Sequence, residues 1–508
     1  MSHARKHARL RYVAPLSALL LAGVANAADT YPQYGANPKL PEPQRGLLPN
    51  MGVPEQAPWN DQKPTVPEGY SIEAIATDLK IPRQTLVLPN GDILVAEGSG
   101  GHAPKTKPKD FIAGVIKAKG KTSVEGGDRL TLLRDSDGDG TYEEQTVFAD
   151  NLAAPYGLAL VGNDLYVANQ GSLVRFDYQE GQTEASGAPE VVTPLPEKIN
   201  HHWTKSLTAS PDGQTLYVGI GSNSNITERG MEAEVDRAEI WAIDAETGAH
   251  RAYATGVRNP TALTIQPGTN ELWAVANERD ELGPHLVPDY LTSIQEGGFY
   301  GWPYSYWGQN VDPRVKPENP DLVESAIAPD YSLGSHRAPL GVAFSNGAVG
   351  GDFANGVFVG EHGSWNRADP VGYKVVFIPF ENGEPAGDPV DFVSGFLTDD
   401  GRTRGRPVGV TVAPDGAVIV ADDLTNAVWR VTRDDAGQSG TAQNGPSESG
   451  ANENGAGQNS ASGDTVENGS DTSVNESAMS GDEPATQDED AGMPESESDT
   501  NEASSTSP

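Results

Sequence analysis

The feature that most constrains this chain is a repeat. Six times an apolar, alternating strand runs into a Gly, Asn or Asp turn and a second strand answers it. The copies fall at residues 86–96, 158–168, 207–219, 263–275, 342–360 and 410–421. They recur at roughly 50 to 80 residues, the interval expected of blades around a common axis. The pattern therefore predicts an all-β fold, a six-bladed β-propeller. Residues 71–77 are expected to add a strand to the blade containing residues 428–431 and so close the ring.

No disulfide could do that work, because the chain has no cysteine in 508 residues. Thiolate metal sites, a Cys nucleophile and covalent haem attachment are excluded with it. Redox chemistry here would need a noncovalent cofactor. The formal charge is −37, so a nucleic-acid partner, which requires a basic face, is not expected.

The ends read differently from the middle. Arg5, Lys6, Arg9 and Arg11 lead an apolar stretch over residues 13–24 that ends in Ala25-Asn26-Ala27. This is the signature of a signal peptide over residues 1–27, too short to span a bilayer, and it places the mature protein in the periplasm or outside the cell. Residues 28–67 form a Pro-rich arm, and residues 68–433 the propeller. The segment 434–508 is acidic, with no Lys, Arg or aromatic residue, and is expected to be disordered.

One turn invites a metal. Asp135, Asp137 and Asp139 alternate ahead of Gly140, like the opening half of a calcium-binding loop, but Thr146 stands where the closing Glu belongs. A solvated acidic hairpin turn is the other reading.

The remaining chemistry sits at strand ends. His202 precedes an inner strand and is a natural base near neutral pH, and Asp280 is a candidate to orient it. Arg258 with Asn259, and Arg404 with Arg406, offer guanidinium forks suited to carboxylates or a developing oxyanion. Each alone is ordinarily structural. A propeller brings such positions to one end of one axis. The aromatic run over residues 297–308 is either a stacking wall for a sugar or planar ring, or a hydrophobic plug.

Several strings together carry a resemblance. They are His-His-Trp-Thr at 201–204, Gly-Ser-Asn-Ser-Asn at 221–225 and Val-Arg-Asn-Pro at 257–260. Asp-Glu-Leu-Gly-Pro at 280–284, Tyr-Gly-Trp-Pro at 300–303, Gly-Glu-His-Gly-Ser-Trp-Asn-Arg at 360–367 and Arg-Gly-Arg-Pro at 404–407 complete the set. Over roughly residues 68–433 the chain resembles the soluble quinoprotein sugar dehydrogenases that use pyrroloquinoline quinone, most closely their sorbosone dehydrogenase branch.

The resemblance implies roles. His202 matches the base that removes the substrate hydroxyl proton. Arg258 matches the group beside the quinone carbonyl, and Asn259 a quinone contact. Arg404 and Arg406 match the partners of the cofactor carboxylates. Gly283 and Pro284 match the backbone carbonyls that hold calcium, which polarises the quinone. Two positions depart from the pattern. Ser222 stands at about the place where the family has the Asp that orients the base, so that carboxylate is missing or supplied from elsewhere, with Asp280 as a candidate. The family's cofactor-binding lysine has no counterpart, and His362, Arg367 or Lys205 are the candidates to replace it.

The reading implied is an exported oxidoreductase. It oxidises a sugar or aldehyde and passes electrons through the quinone to an external acceptor. No Gly-x-Gly-x-x-Gly turn supports a nicotinamide enzyme. A calcium-dependent lactone hydrolase and a non-catalytic binding propeller are the alternatives.

Overall fold

The computed structural model describes residues 33–44, 52–101 and 124–434. The signal peptide expected at 1–27 and the tail, Asp434 apart, lie outside the described residues. Among the described residues no helix is long and apolar enough to cross a membrane.

The fold is a six-bladed β-propeller, as the repeat predicts. Blade 1 orders Pro82–Val87, Ile93–Glu97, Arg129–Arg134 and Glu144–Ala149 from the axis outwards. Blade 2 is Gly157–Val161, Asp164–Ala168, Ser172–Asp177 and Glu190–Pro194. Blade 3 is Lys205–Ala209, Thr215–Ile220, Glu239–Asp244 and His250–Thr255. Blade 4 is Pro260–Ile265, Leu272–Ala276, Pro288–Ser293 and Tyr331–Ser335, with Tyr34–Gly35 of the arm added outside. Blade 5 is Pro339–Phe344, Gly356–Glu361, Lys374–Glu381 and Val390–Val393. Blade 6 is Pro407–Val412, Val418–Asp422 and Ala427–Arg433, completed by Tyr70–Ala76. That last pairing, Tyr70 opposite Arg433 and Ile72 opposite Val431, is the expected closure of the ring. Each sequence repeat supplies the two inner strands of one blade.

The core is six wedges, one between each pair of neighbouring blades. Phe358, Val375 and Phe377 of blade 5 meet Val410, Val420 and Trp429 of blade 6. Leu94 and Leu132 meet Leu158 and Val167 between blades 1 and 2. The other four junctions repeat the arrangement. A second strand has a neighbouring blade on both faces. For this reason Ile93–Glu97, Leu272–Ala276 and Val418–Asp422 are buried at every position and read as apolar runs, closed by Glu97 and Asp422 in the first and last.

Antiparallel pairing fixes where chemistry can sit. The residue that leads into the first strand of a blade and the residue that leaves its second strand lie at the same end of the sheet. We call this end the upper face. The turn between third and fourth strands lies at the opposite end. Residues 135–140 join the third and fourth strands of blade 1, so the acidic turn is on the lower face.

The described part of the arm runs over the upper face. Gln44 N–H donates to Leu282 O at 2.8 Å, Gly52 bridges Asn366, and Thr65 pairs with Ser394. The aromatic run is a plug. Tyr300 is buried between blades 3 and 4, with its hydroxyl donating to Ser293 O at 2.7 Å. Phe299 packs so closely on Gly256 that a Cβ there would lie 2.6 Å from its ring.

Candidate active site

His202 leads into blade 3 and Ser222 follows that blade's second strand, so the two meet on the upper face. His202 Nδ1 lies 2.8 Å from Ser222 O and 3.0 Å from Ser222 Oγ. The Ser222 hydroxyl is itself committed as donor to Ser224 O at 2.7 Å. A carbonyl can only accept, so Nδ1 carries the proton and Nε2 is the basic nitrogen. Burial, then the charges of Arg258 and His201, hold this imidazole well below its ordinary pKa. It is therefore neutral at pH 7, as a base must be.

This corrects the role expected of Asp280. Ser222 holds the His202 imidazole, and the Asp280 carboxylate is occupied elsewhere. It accepts from the Asn366 amide and lies 3.6 Å from His336 Nδ1. His336 Nε2 in turn meets Gly283 O at 3.0 Å, and Asn366 Nδ2 lies 2.9 Å from His336 Nδ1. The Gly283 carbonyl, expected among calcium donors, thus already has an imidazole partner.

Arg258 is 3% exposed. It donates to Asn225 O, Asn277 O, Glu278 O and Asn225 Oδ1 over 2.8–3.0 Å. Asn225 Oδ1 also accepts from Asp280 N–H at 2.8 Å, which makes Asn225 the hinge between the arginine and the acid loop. Asn259 lies beside His202. A Cβ on Gly221 would stand 2.3 Å from Asn259 Oδ1 and 2.6 Å from His202 Cβ, so only glycine fits between them.

A further residue holds the His202 loop from behind. Arg237 is 4% exposed. It donates to Gly221 O at 2.6 Å, Pro196 O at 2.7 Å, His202 O at 2.8 Å and Asn200 Oδ1 at 3.2 Å. Lys205, expected to reach a cofactor, instead lies fully buried below. Its ammonium donates to Asn200 Oδ1 and Trp203 O, both at 3.0 Å. Burial and Arg237 lower its pKa far below that of an ordinary lysine. We assign it to the support of the His202 loop.

Blades 5, 6 and 1 contribute a second group. His362 Nε2 lies 3.0 Å from Asp423 Oδ1, and Arg83 donates to Asp423 Oδ2 at 2.6 Å. Although burial alone would raise it, His362, Arg83 and Arg406 hold the Asp423 carboxyl well below the usual range. Arg83 stacks 5.3 Å from the ring of Trp203, next to His202, which links the two groups. Arg406 lies over Tyr373 and Arg404 over Trp59, at 5.8 and 5.7 Å. Between them, a Cβ on Gly405 would strike the Asp422 carboxylate at 2.2 Å. Arg367 is buried near His336, whose pKa its charge lowers after burial and against Asp280.

Among the described residues, Arg404 Nε, Arg406 Nε and Asn259 Oδ1 are buried without a hydrogen-bond partner. Buried polar atoms ordinarily have one. Two guanidinium donors and an amide acceptor left over on one face fit a planar ligand bearing carboxylates.

The acidic turn is built as a cage of side chains. Asp135, Asp137, Asp139 and Glu143 bring ligand atoms within 4.8 Å of one another. Glu143 was not singled out from the sequence. Backbone N–H groups of Gly138 and Gly140 already donate to Asp135 at 2.8 Å each.

Comparison with known proteins gives the class. The model of the TrAA12-like family matches residues 121–287 and 309–434. The chain belongs to this family. An aldose sugar dehydrogenase of Escherichia coli is 28% identical over 192 residues, 37% of this chain and 42% of that protein. A pyrroloquinoline quinone-dependent pyranose dehydrogenase of Coprinopsis cinerea is 23% identical over 329 residues, 53% of this chain and 44% of that protein. The chain thus spans less than half the length of either relative. Among solved structures, the holo pyranose dehydrogenase domain from Coprinopsis cinerea superposes with a TM-score of 0.59 at 19% identity, covering 73% of this chain and 97% of that one. A calcium structure of the Trichoderma reesei AA12 enzyme gives 0.58 at 19% identity, again covering 73% and 97%. At these identities the structures establish a shared propeller fold.

Proposed function

We propose that this protein is an exported quinoprotein oxidoreductase that oxidises a sugar or aldehyde, of the aldose or sorbosone type. The observation that carries the reading is the neutral His202, fixed through Nδ1 by Ser222, on the same face as guanidiniums with unpaired buried donors. The names of the relatives support the cofactor and the substrate class.

Arg404 and Arg406 would hold the carboxylates of pyrroloquinoline quinone, and Asn259 would meet its ring system. When bound, the quinone supplies an acceptor for two electrons. His202 Nε2 takes the proton of the substrate hydroxyl, or of an aldehyde hydrate. Arg258 supplies a fixed positive charge beside the developing anion. It needs no rearrangement, because three carbonyls and Asn225 hold it before substrate arrives. Calcium at the Gly283 and Pro284 carbonyls would share the Gly283 oxygen with His336. An external acceptor would then reoxidise the cofactor.

The test is dye reduction by the purified apoprotein with an aldose and aldehyde panel, with and without quinone and calcium. Turnover that requires the quinone supports the reading. No turnover, with no quinone binding on titration, overturns it in favour of a lactone hydrolase or a binding propeller.

A further inference from the structure

The loop that presents Arg404 is not held by the propeller alone. On one side, Ala57 N–H donates to Thr403 O at 2.7 Å, and Thr403 N–H donates to Glu55 O at 2.9 Å. These two bonds form a short ladder between the arm and the residue before the arginine, centred on the Gln56–Thr403 bridge. On the other, Arg404 N–H donates to Phe396 O at 2.7 Å. The backbone is thus fixed from two directions, and one of them is the arm.

The side chain is held differently. Arg404 has no carboxylate within ion-pair distance among the described residues. Its one hydrogen bond, to Gly395 O, is a long 3.4 Å, and its Nε has no partner. What it does have is the indole of Trp59, 5.7 Å from its guanidinium carbon. That indole is wedged edge-on between Phe396 at 5.5 Å and Trp429 at 5.6 Å. A wedged ring gives the guanidinium a flat surface without consuming its donors or neutralising its charge. An acid at the same place would have done both.

We infer that Trp59 is a positioning residue of the cofactor site, holding Arg404 in place for an anionic planar ligand, and that the arm at Glu55–Trp59 is a working part of that site. The inference rests on the quinone reading above. Arg404 is long and rotamer-rich, and ordering it in advance removes that cost from the binding step.

The test uses the full chain and pyrroloquinoline quinone itself, with the dissociation constant read by titration and the apoprotein melting temperature followed alongside. Trp59→Leu keeps an apolar wedge and removes the ring face. It should weaken quinone binding about ten-fold, the scale of a partly desolvated cation–π contact. Trp59→Phe keeps a ring face and should stay within about three-fold of wild type by the same scale. In an Arg404→Ala background the Leu change should cost little more, because its effect passes through the arginine. If Trp59→Leu does not fold, Trp59→Met takes its place.

An equal loss with and without Arg404 would make Trp59 a general structural support and overturn the inference. So would unaltered quinone affinity in the Leu variant, or a Phe variant as weak as Leu. A wild-type chain that binds no quinone would instead remove the parent reading, and this one with it.

Discussion

Replacing Arg237 by Met should damage both stability and the acid side of the pH profile. The guanidinium serves the carbonyls of Gly221, Pro196 and His202 and the Asn200 side chain; the bonds to Gly221 and Asn200 are buried, the other two part-buried. A buried acceptor left without a donor costs about 1–3 kcal/mol. Against this, the charge is itself expensive to bury: desolvation pulls the Arg237 pKa from 12.5 down to about 10. That fall corresponds to roughly 3 kcal/mol, which the apolar side chain would recover. Taking the middle of that range for the two buried acceptors, Gly221 O and Asn200 Oδ1, the net loss is about 1 kcal/mol in a urea titration. Two of the three carbonyls flank the base, so turnover should fall as well. The direction of the pH effect is fixed by charge. Arg237 is one of the positive groups that lower the His202 pKa, so its removal raises that pKa. With His202 as the proposed base, activity would require its neutral form, and the acid limb of kcat/KM should move to higher pH. A Met variant with wild-type urea midpoint and an unmoved acid limb would refute the argument, since both effects follow from the same contacts.

His202→Asn should lower quinone-dependent turnover by about 10²–10⁴-fold, the usual contribution of a general base, with quinone affinity preserved; titration and dye reduction on one sample separate the two. Asp289 bridges the loops of the site, accepting from Glu278 N–H at 2.7 Å and Ala338 N–H at 2.8 Å. Burial pushes its pKa up to about 7. Its folded-state pKa is above its unfolded value, so the protonated form is favoured in the folded chain. The stability it contributes is complete below about pH 4 and is lost as pH rises to 7. The difference in urea stability between wild type and Asp289→Asn, followed over that window, should show this slope; a flat difference curve counts against it. Asp137→Ala with Asp139→Ala should leave quinone-dependent turnover within about two-fold, because the acidic turn is on the lower face; a large loss would mean that the two faces are coupled.

The propeller was legible because its signal is local and repeated. A period of two and a turn specify each inner hairpin, and six hairpins specify the ring. The strand-end residues were legible for a related reason: His202, Arg258 and Arg406 interrupt that pattern just where a first strand begins. Lys205 interrupts it too, yet it shares the face of Leu207 two residues on, and Leu207 is buried between blades 2 and 3. That spacing was the available signal that its side chain turns inward. Asn225 and Asn366 stood inside quoted strings, but their partners lie 55 and 86 residues away. His336 and Arg237 follow and precede outer strands, where the pattern is weakest. The oxygen that orients the His202 ring belongs to the main chain, and main-chain acceptors have no letter in a sequence.

The same use of carbonyls explains how so acidic a molecule builds a cationic site. A guanidinium met by a carboxylate loses its net charge, as Arg83 does beside Asp423. Arg258 and Arg237 are met by carbonyls and an asparagine or two, which satisfy their hydrogens and leave the charge in place. Arg404 rests on an aromatic face with the same consequence, whereas Arg406, over Tyr373, also acts on the Asp423 carboxylate. Burying Arg258 and Arg237 with carbonyls as their direct partners is costly, since desolvation lowers the pKa of both, and acidic groups farther off offset only part of it. A ligand that brings its own negative charges recovers that cost on binding. Guanidiniums satisfied by neutral groups are thus what the proposed anionic ligand would meet, and this follows from what the arginines touch, whatever the net charge of the chain.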